Sequence, residues 1–220
     1  MRVKPFSFRL TLAGALLGTL AACAGSPPVN FYTLMRPAAT TPQAAPRADA
    51  LIEVQPVNVP AQVDQPQVMV RTTGASVVPL YSERWAAPLA DEIQAALSDG
   101  LTRSLGLFDV ESVKPSRDQP VWRVVVDIQR FDSIDGEAAI VDATWRLRGI
   151  NMNDPNLLCR SRIVQATDGP GIPALITAHQ LALVQLSEAI AQKINLSMEN
   201  AGRGTQTLID NCQTNSKSMG

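Results

Sequence analysis

Histidine is almost missing from this chain: its 220 residues hold one, together with three cysteines and only 5% aromatics. A single imidazole excludes His-rich metal sites, and three thiols exclude a dense disulfide framework. With so few rings, the core has to be built mainly from Val, Leu, Ile and Ala. Neither charge is in excess, since 19 Lys+Arg face 20 Asp+Glu and leave a net charge of -1. No broad basic field exists to hold a phosphate backbone, which argues against nucleic acid as a partner. What is present is globular in kind, 45% hydrophobic and 18% charged. The length suits one ordinary domain or at most two small ones.

Residues 1–9, MRVKPFSFR, carry Arg2, Lys4 and Arg9 and no acid. The uncharged run LTLAGALLGTLAA follows, too short for a hydrocarbon core that needs about 20 residues. A basic start and a short apolar run make a secretory signal. It ends on Leu20-Ala21-Ala22-Cys23, small side chains before a cysteine, which is similar to the bacterial lipobox. Residues 1–22 are then removed, and Cys23 carries acyl chains, palmitate among them. Several chains hold far more firmly than one, because each buried methylene adds about 0.8 kcal/mol. Ala24 stands where an aspartate resembles an inner-membrane retention signal in enteric-type lipoproteins. The expected address is therefore the outer membrane, facing the periplasm.

Residues 36–50, RPAATTPQAAPRADA, cannot bury a core and read as a linker, able to reach about 45 Å if extended. Phe31-Tyr32-Thr33-Leu34 before it is too apolar for a free tether and reads as a short docked strand. The expected organisation is a signal peptide at 1–22, a lipidated N-terminus and linker at 23–50, a domain at 51–200 and a polar tail at 201–220.

Within the domain, LIEVQPVNV from Leu51, Gln67–Arg71 and Val77–Tyr81 read as strands, with Thr73-Gly74 as a turn. Trp85, Leu89, Ile93, Leu97, Leu101 and Leu105 recur every fourth residue, one apolar stripe of a helix with Pro88 in its first turn and Gly106 at its end. Leu107–Val110 is a short strand candidate. Val121–Phe131 and Glu137–Ile150 make a hairpin around Asp135-Gly136. Val141, Ala143, Trp145 and Leu147 alternate there with Asp142, Thr144, Arg146 and Arg148, one face apolar and the other charged. After a turn at 153–156, Leu157–Ala166 is the next strand. Pro173–Leu196 is a second amphipathic helix, with Ile176, Leu183, Leu186, Ile190 and Ile194 on one face. Leu181 and Val184 lie off that stripe, against a loop or a neighbouring subunit. Two helices and about six to eight strands, not regularly alternating, predict a single α/β domain with a mixed sheet.

Chemistry-bearing patterns are scarce. There is no GxSxG, Walker or HExxH motif, so no catalytic, metal or cofactor site is expected. His179 falls near the second stripe and reads as a partly buried histidine with a local hydrogen bond. The loop DGPGIP at 168–173 has no Lys for a phosphate cradle. Asp127, Asp132, Asp135 and Asp142 are the best carboxylates for a cation or a glycosidase, although a solvated strand face accounts for them too. With Cys23 lipidated, two cysteines remain. In the oxidising periplasm Cys159 and Cys212 can pair; otherwise Cys159 is a buried thiol and Cys212 is loose in the tail.

The order of short motifs carries a resemblance. Ser26-Pro27-Pro28 and Phe31-Tyr32-Thr33-Leu34 follow the lipobox. Then come Val57-Asn58-Val59-Pro60, Arg84-Trp85-Ala86-Ala87-Pro88-Leu89, Val126-Asp127-Ile128-Gln129-Arg130-Phe131-Asp132 and Ala143-Thr144-Trp145-Arg146-Leu147. In this order they resemble the auxiliary lipoproteins of ABC-type intermembrane transport, the PqiC family, over roughly Cys23 to Leu196. The resemblance implies a non-catalytic outer-membrane lipoprotein working with an MCE-domain tunnel protein and inner-membrane transporter components in lipid traffic that supports envelope integrity. It also implies a single α/β sandwich similar to the N-terminal domain of TolB, and a homo-oligomeric ring. Two other classes stay open on the residues alone. One is a periplasmic hydrolase acting on envelope polymers, which would need a carboxylate such as Asp127 or Asp142 in a cleft. The other is a small lipid-binding module with an apolar pocket of a few hundred Å³.

Overall fold

The computed structural model describes residues 28–37, 43–72, 74–152, 156–201 and 212–214. The signal segment, Cys23, Thr73, residues 153–155 and the tail outside 212–214 lie outside the described residues. The strands are β1 (Asn30–Tyr32), β2 (Leu51–Val54), β3 (Gln67–Arg71), β4 (Val77–Trp85), β5 (Phe108–Asp109), β6 (Val121–Ile134), β7 (Ala138–Ile150), β8 (Leu157–Ala166) and β9 (Cys212–Thr214). The helices are α1 (Leu89–Leu105) and α2 (Ile172–Ala201). This is the mixed α/β arrangement expected from the sequence.

The strands divide between two sheets. Six lie in the order β5-β2-β6-β7-β8-β9, parallel from β5 to β6 and antiparallel beyond; three more lie in the order β1-β4-β3. In the small sheet β1 runs parallel to β4, and the β3–β4 register jumps between Gln67 and Val68. One face of the large sheet carries both helices. Val124, Val126, Val141, Ala143 and Leu147 are fully buried there against Leu97, Leu101, Leu186 and Ile190. Helix α2 is apolar enough over Ile172–Glu199 to pass for a membrane span by length and composition, with mean hydropathy 1.2. Its apolar residues form the core of this domain, as Leu175, Leu183, Leu186, Ile190 and Ile194 show.

Three sequence expectations need correction. Trp85 does not open helix α1: it ends β4, buried edge-on to Phe131 with centroids 6.2 Å apart. Pro88 is the residue before the helix rather than inside its first turn. A proline disfavours helical geometry at the residue before it, so the every-fourth pattern runs one step further back than the helix can. The linker is also shorter than composition suggests. Ala44 donates its N–H to the Arg103 carbonyl (2.8 Å), Arg47 donates to Gly106 (2.7 Å), and Ala50 is buried. Since β1 precedes this stretch and is itself paired in the domain, residues 36–50 are not what separates Cys23 from the fold.

Two glycines set how the first helix sits. Gly106 takes a left-handed conformation (φ 68°) that ends α1, and a Cβ there would strike the Ala45 carbonyl oxygen at 2.0 Å. Gly100 lies in mid-helix, where glycine ordinarily costs about 1 kcal/mol relative to alanine. A Cβ at Gly100 would lie 2.4 Å from Ser187 Oγ and 2.8 Å from its Cβ, so the glycine lets α1 and α2 approach. Gly100→Ala is expected to destabilise by about 1–3 kcal/mol through overpacking, despite its better helix propensity. Urea unfolding of the single variant and of Gly100→Ala/Ser187→Gly checks this: the double variant should regain part of the loss.

Candidate functional site

The four carboxylates singled out in the sequence are all placed on or beside the β6–β7 hairpin, and each is committed to a different partner. Asp127 Oδ1 accepts from Asn58 Nδ2 at 2.7 Å, with Arg146 3.8 Å away. Asp132 accepts from Arg71 Nη2 at 2.9 Å and from Arg130 Nε. Asp142 is held by both Nε and Nη2 of Arg160, at 2.9 and 2.7 Å. Asp135 accepts the Gly171 N–H at 2.7 Å, at the N-terminal end of α2 where a negative charge is favoured.

The electrostatics follow from these partners. Burial works against ionisation of Asp132, yet the hydrogen bonds from Arg71 and Arg130 outweigh it and hold the carboxyl below the usual range. The Arg160 hydrogen bond does the same for Asp142, against burial. A glycosidase acid needs a raised value at one carboxyl of a convergent pair. These two are pushed down and point to separate arginines, an arrangement that braces strands. Among the described residues no group of three or more His, Cys, Asp or Glu could hold a metal ion.

Asp142 and Asp132 were expected on a solvated face, and both are buried, 6% and 4% exposed. Both stay on the outer face of the sheet and are covered there by arginines, Asp132 by Arg71 and Arg130 and Asp142 by Arg160. A bulge decides which face Asp132 takes. β6 and β7 pair Ile128 with Ala143 but Arg130 with Asp142, so Gln129 is an extra residue. Before it, Val124, Val126 and Ile128 point to the core; after it, Phe131 and Ser133 do. One inserted residue exchanges the two faces, which carries Asp132 outward to Arg71 of β3.

The same bulge delivers Ser133 to His179. The imidazole is completely buried, with Nε2 2.8 Å from Ser133 Oγ and the ring stacked on Phe131 at 4.0 Å between centroids. Burial lowers its pKa to about 3, with the Asp132 charge acting weakly the other way. A histidine that stays neutral and enclosed cannot exchange protons with a substrate, so the Ser–His pair is a core contact rather than a catalytic one.

A polar clamp on the N-terminal segment escaped sequence reading. Glu92, on the buried side of α1, accepts from Thr33 Oγ1 at 2.7 Å and from the Leu34 N–H at 2.8 Å. Gln180 of α2 donates to the carbonyls of Thr33 (3.0 Å) and Met35 (3.3 Å). Asn30 Nδ2 meets Glu83 at 3.1 Å, and burial together with a Glu83 hydrogen bond pushes the Tyr32 hydroxyl up to about 12. Residues 30–35 are thus fixed to β4 and both helices. The only sequence signal was an acid, Glu92, next to the apolar stripe at Ile93.

Leu181 and Val184 are half-buried, and Val184 lines a small crevice between the helices beside Gly100 and Ser187. Cys159 and Cys212 face each other in the β8–β9 register, with Cα atoms 4.1 Å apart and their sulfurs bonded. A cleft of about 600 Å³ opens between α1, β5 and residues 43–46. Asp91, Asp99 and Asp109 share its lining with Met35, Val54 and Phe108, so it is a mixed, charge-bearing cleft rather than the apolar pocket an acyl chain needs.

A family model described as an ABC-type transport auxiliary lipoprotein component matches residues 32–191. No curated protein matches the chain in sequence. Solved structures that share the fold include two crystal structures. One, of an uncharacterized protein, is 20% identical with a TM-score of 0.60, covering 76% of this chain and 99% of its own. The other, protein XCC0632 from Xanthomonas campestris, of family DUF330, is 17% identical with a TM-score of 0.57, covering 80% and 99%. Cys212 and β9 fall beyond the matched span.

Proposed function

Because the chain belongs to the ABC-type transport auxiliary lipoproteins, we propose that it is a non-catalytic adaptor of an intermembrane lipid transport system. In this reading residues 1–22 are removed and acyl chains on Cys23 hold the protein on the periplasmic face of the outer membrane. Its partners are an MCE-domain tunnel protein and inner-membrane transporter components, and copies of the chain assemble as a ring. The observation that carries the reading is the family match, which spans nearly all of the folded domain. The site geometry supports it, since Asp132 and Asp142 are paired with arginines and the one histidine is sealed in the core. A ring of weak contacts would bind a tunnel end through avidity.

Crosslinking in the periplasm, followed by purification of the lipidated protein, is expected to recover an MCE-domain partner. Deleting the gene should weaken the envelope barrier as loss of the tunnel gene does. Recovery of no such partner, together with turnover of an envelope polymer by the pure protein, would overturn the reading.

A further inference from the structure

The distance between Cys23 and the fold is short. β1 starts at Asn30, seven residues after Cys23, and an extended chain covers at most about 3.6 Å per residue, or about 25 Å in all. The clamp of Glu92 and Gln180 on residues 33–35 limits how far that leash can lengthen. Whatever surface surrounds the start of β1 is therefore held next to the membrane that takes the acyl chains.

That surface is apolar in an unusual way for this protein. Val29 is 43% exposed and Phe31 65%, two of the seven large exposed hydrophobics among the described residues. They stand two residues apart along one extended stretch and so share a face. Phe31 pairs with Arg84 and Asn30 with Glu83 in the parallel register, which puts Arg84 on the same face as Phe31. The one acid here, Glu83, is engaged by Asn30 and Tyr32. Residues 24–29, AGSPPV, carry no charge. Arg84, the cross-strand neighbour of Phe31, supplies a cation at the same edge. An exposed aromatic ring with an arginine beside it matches the headgroup layer of a bilayer, apolar below and anionic above.

We propose that the β1 edge of the small sheet, through Val29 and Phe31, lies on the phospholipid surface, so that the anchored domain sits on the membrane in one fixed orientation rather than standing off it. The proposal rests on lipidation at Cys23. On so short a leash the local concentration of this edge at the surface is high, so side-chain contacts that would not bind a free protein suffice. A fixed orientation also fixes which faces of the domain meet the periplasm.

The test uses the full lipidated protein in phosphatidylethanolamine/phosphatidylglycerol vesicles containing brominated acyl chains. The native tryptophans Trp85, Trp122 and Trp145 are buried, so a Phe31→Trp variant adds one exposed reporter, and Val164→Trp, at a site 58% exposed on β8, serves as control. The expected result is flotation of both variants with the vesicles and bromine quenching several-fold greater for Phe31→Trp than for Val164→Trp. Failure to float means the anchor reading is wrong, and the docking proposal falls with it. Flotation with Phe31→Trp open to acrylamide and untouched by bromine overturns the docking alone. Protection from acrylamide without bromine quenching also overturns it, because the cover is then protein, a second copy included. Val29→Trp repeats the measurement should Phe31→Trp disturb the fold.

Discussion

Lowering the pH from 7 to 5 is expected to destabilise the domain by about 2 kcal/mol, through one side chain. The His179 pKa lies near 3 in the folded protein, against the ordinary 6.5 that the unfolded chain recovers. Below 6.5 the unfolded state takes up a proton that the folded state refuses until about pH 3. The stabilising effect is complete above 6.5 and is lost as pH falls, at about 1.4 kcal/mol per unit, for a total of about 5 kcal/mol. Asp132 and Asp142, whose folded values are depressed, begin to add to the loss only below the ordinary carboxylate range, so the window from 6.5 to about 4.5 belongs to the histidine. Denaturant unfolding at a series of pH values measures the slope. Ser133→Ala/His179→Leu removes both partners of the buried contact and should flatten it. A double variant as acid-sensitive as the wild type would show that the slope arises elsewhere.

The second large effect concerns the pair Cys159–Cys212. Their sequence separation is 53, and closing a loop of that size restricts the unfolded chain by about 4 kcal/mol in the chain-entropy model. The closed loop contains all of α2, and the bonded strand β9 covers the β8 edge of the large sheet. Cys159→Ser/Cys212→Ser, or reduction of the wild type, should lower Tm on the order of 10 °C for a domain of this size. It should also leave an edge strand open to pairing with other chains. Equal Tm with and without reductant, and alkylation of both thiols in protein isolated under oxidising conditions, would show that no such bond forms.

These two effects separate what periodicity can reveal from what it cannot. The stripe Leu89, Ile93, Leu97, Leu101 and Leu105 needed only the 3.6-residue turn to be recognised, and all five are buried. The alternation along β7 placed Val141, Ala143, Trp145 and Leu147 on the core face for the same reason. The mixed sheet also follows from the uneven order of strand and helix patterns. His179 was legible as a core histidine near a helical stripe, although its complete burial and its serine partner were not. Local repetition of this kind is written into a chain because each residue's face is set by its near neighbours.

Long-range pairing is another matter. The expected solvated row at Asp132 and Asp142 failed because arginines of other strands close over both carboxylates on the outer face. The arginines that claim those acids come from β3 and β8, 61 and 18 residues away. Gly100 looked like a weak point in a helix until α2 was packed against it. The stretch 36–50 had the composition of a free tether, yet its second half is tied to the end of α1 by backbone hydrogen bonds that any sequence could make. The sequence by itself determined the helices, the strand faces, the candidate lipid anchor and the family. The tertiary structure decided which charges cancel and where the N-terminus is clamped. It also decided how far the fold can stand from Cys23, because those depend on partners distant in the chain and on backbone groups that carry no residue identity.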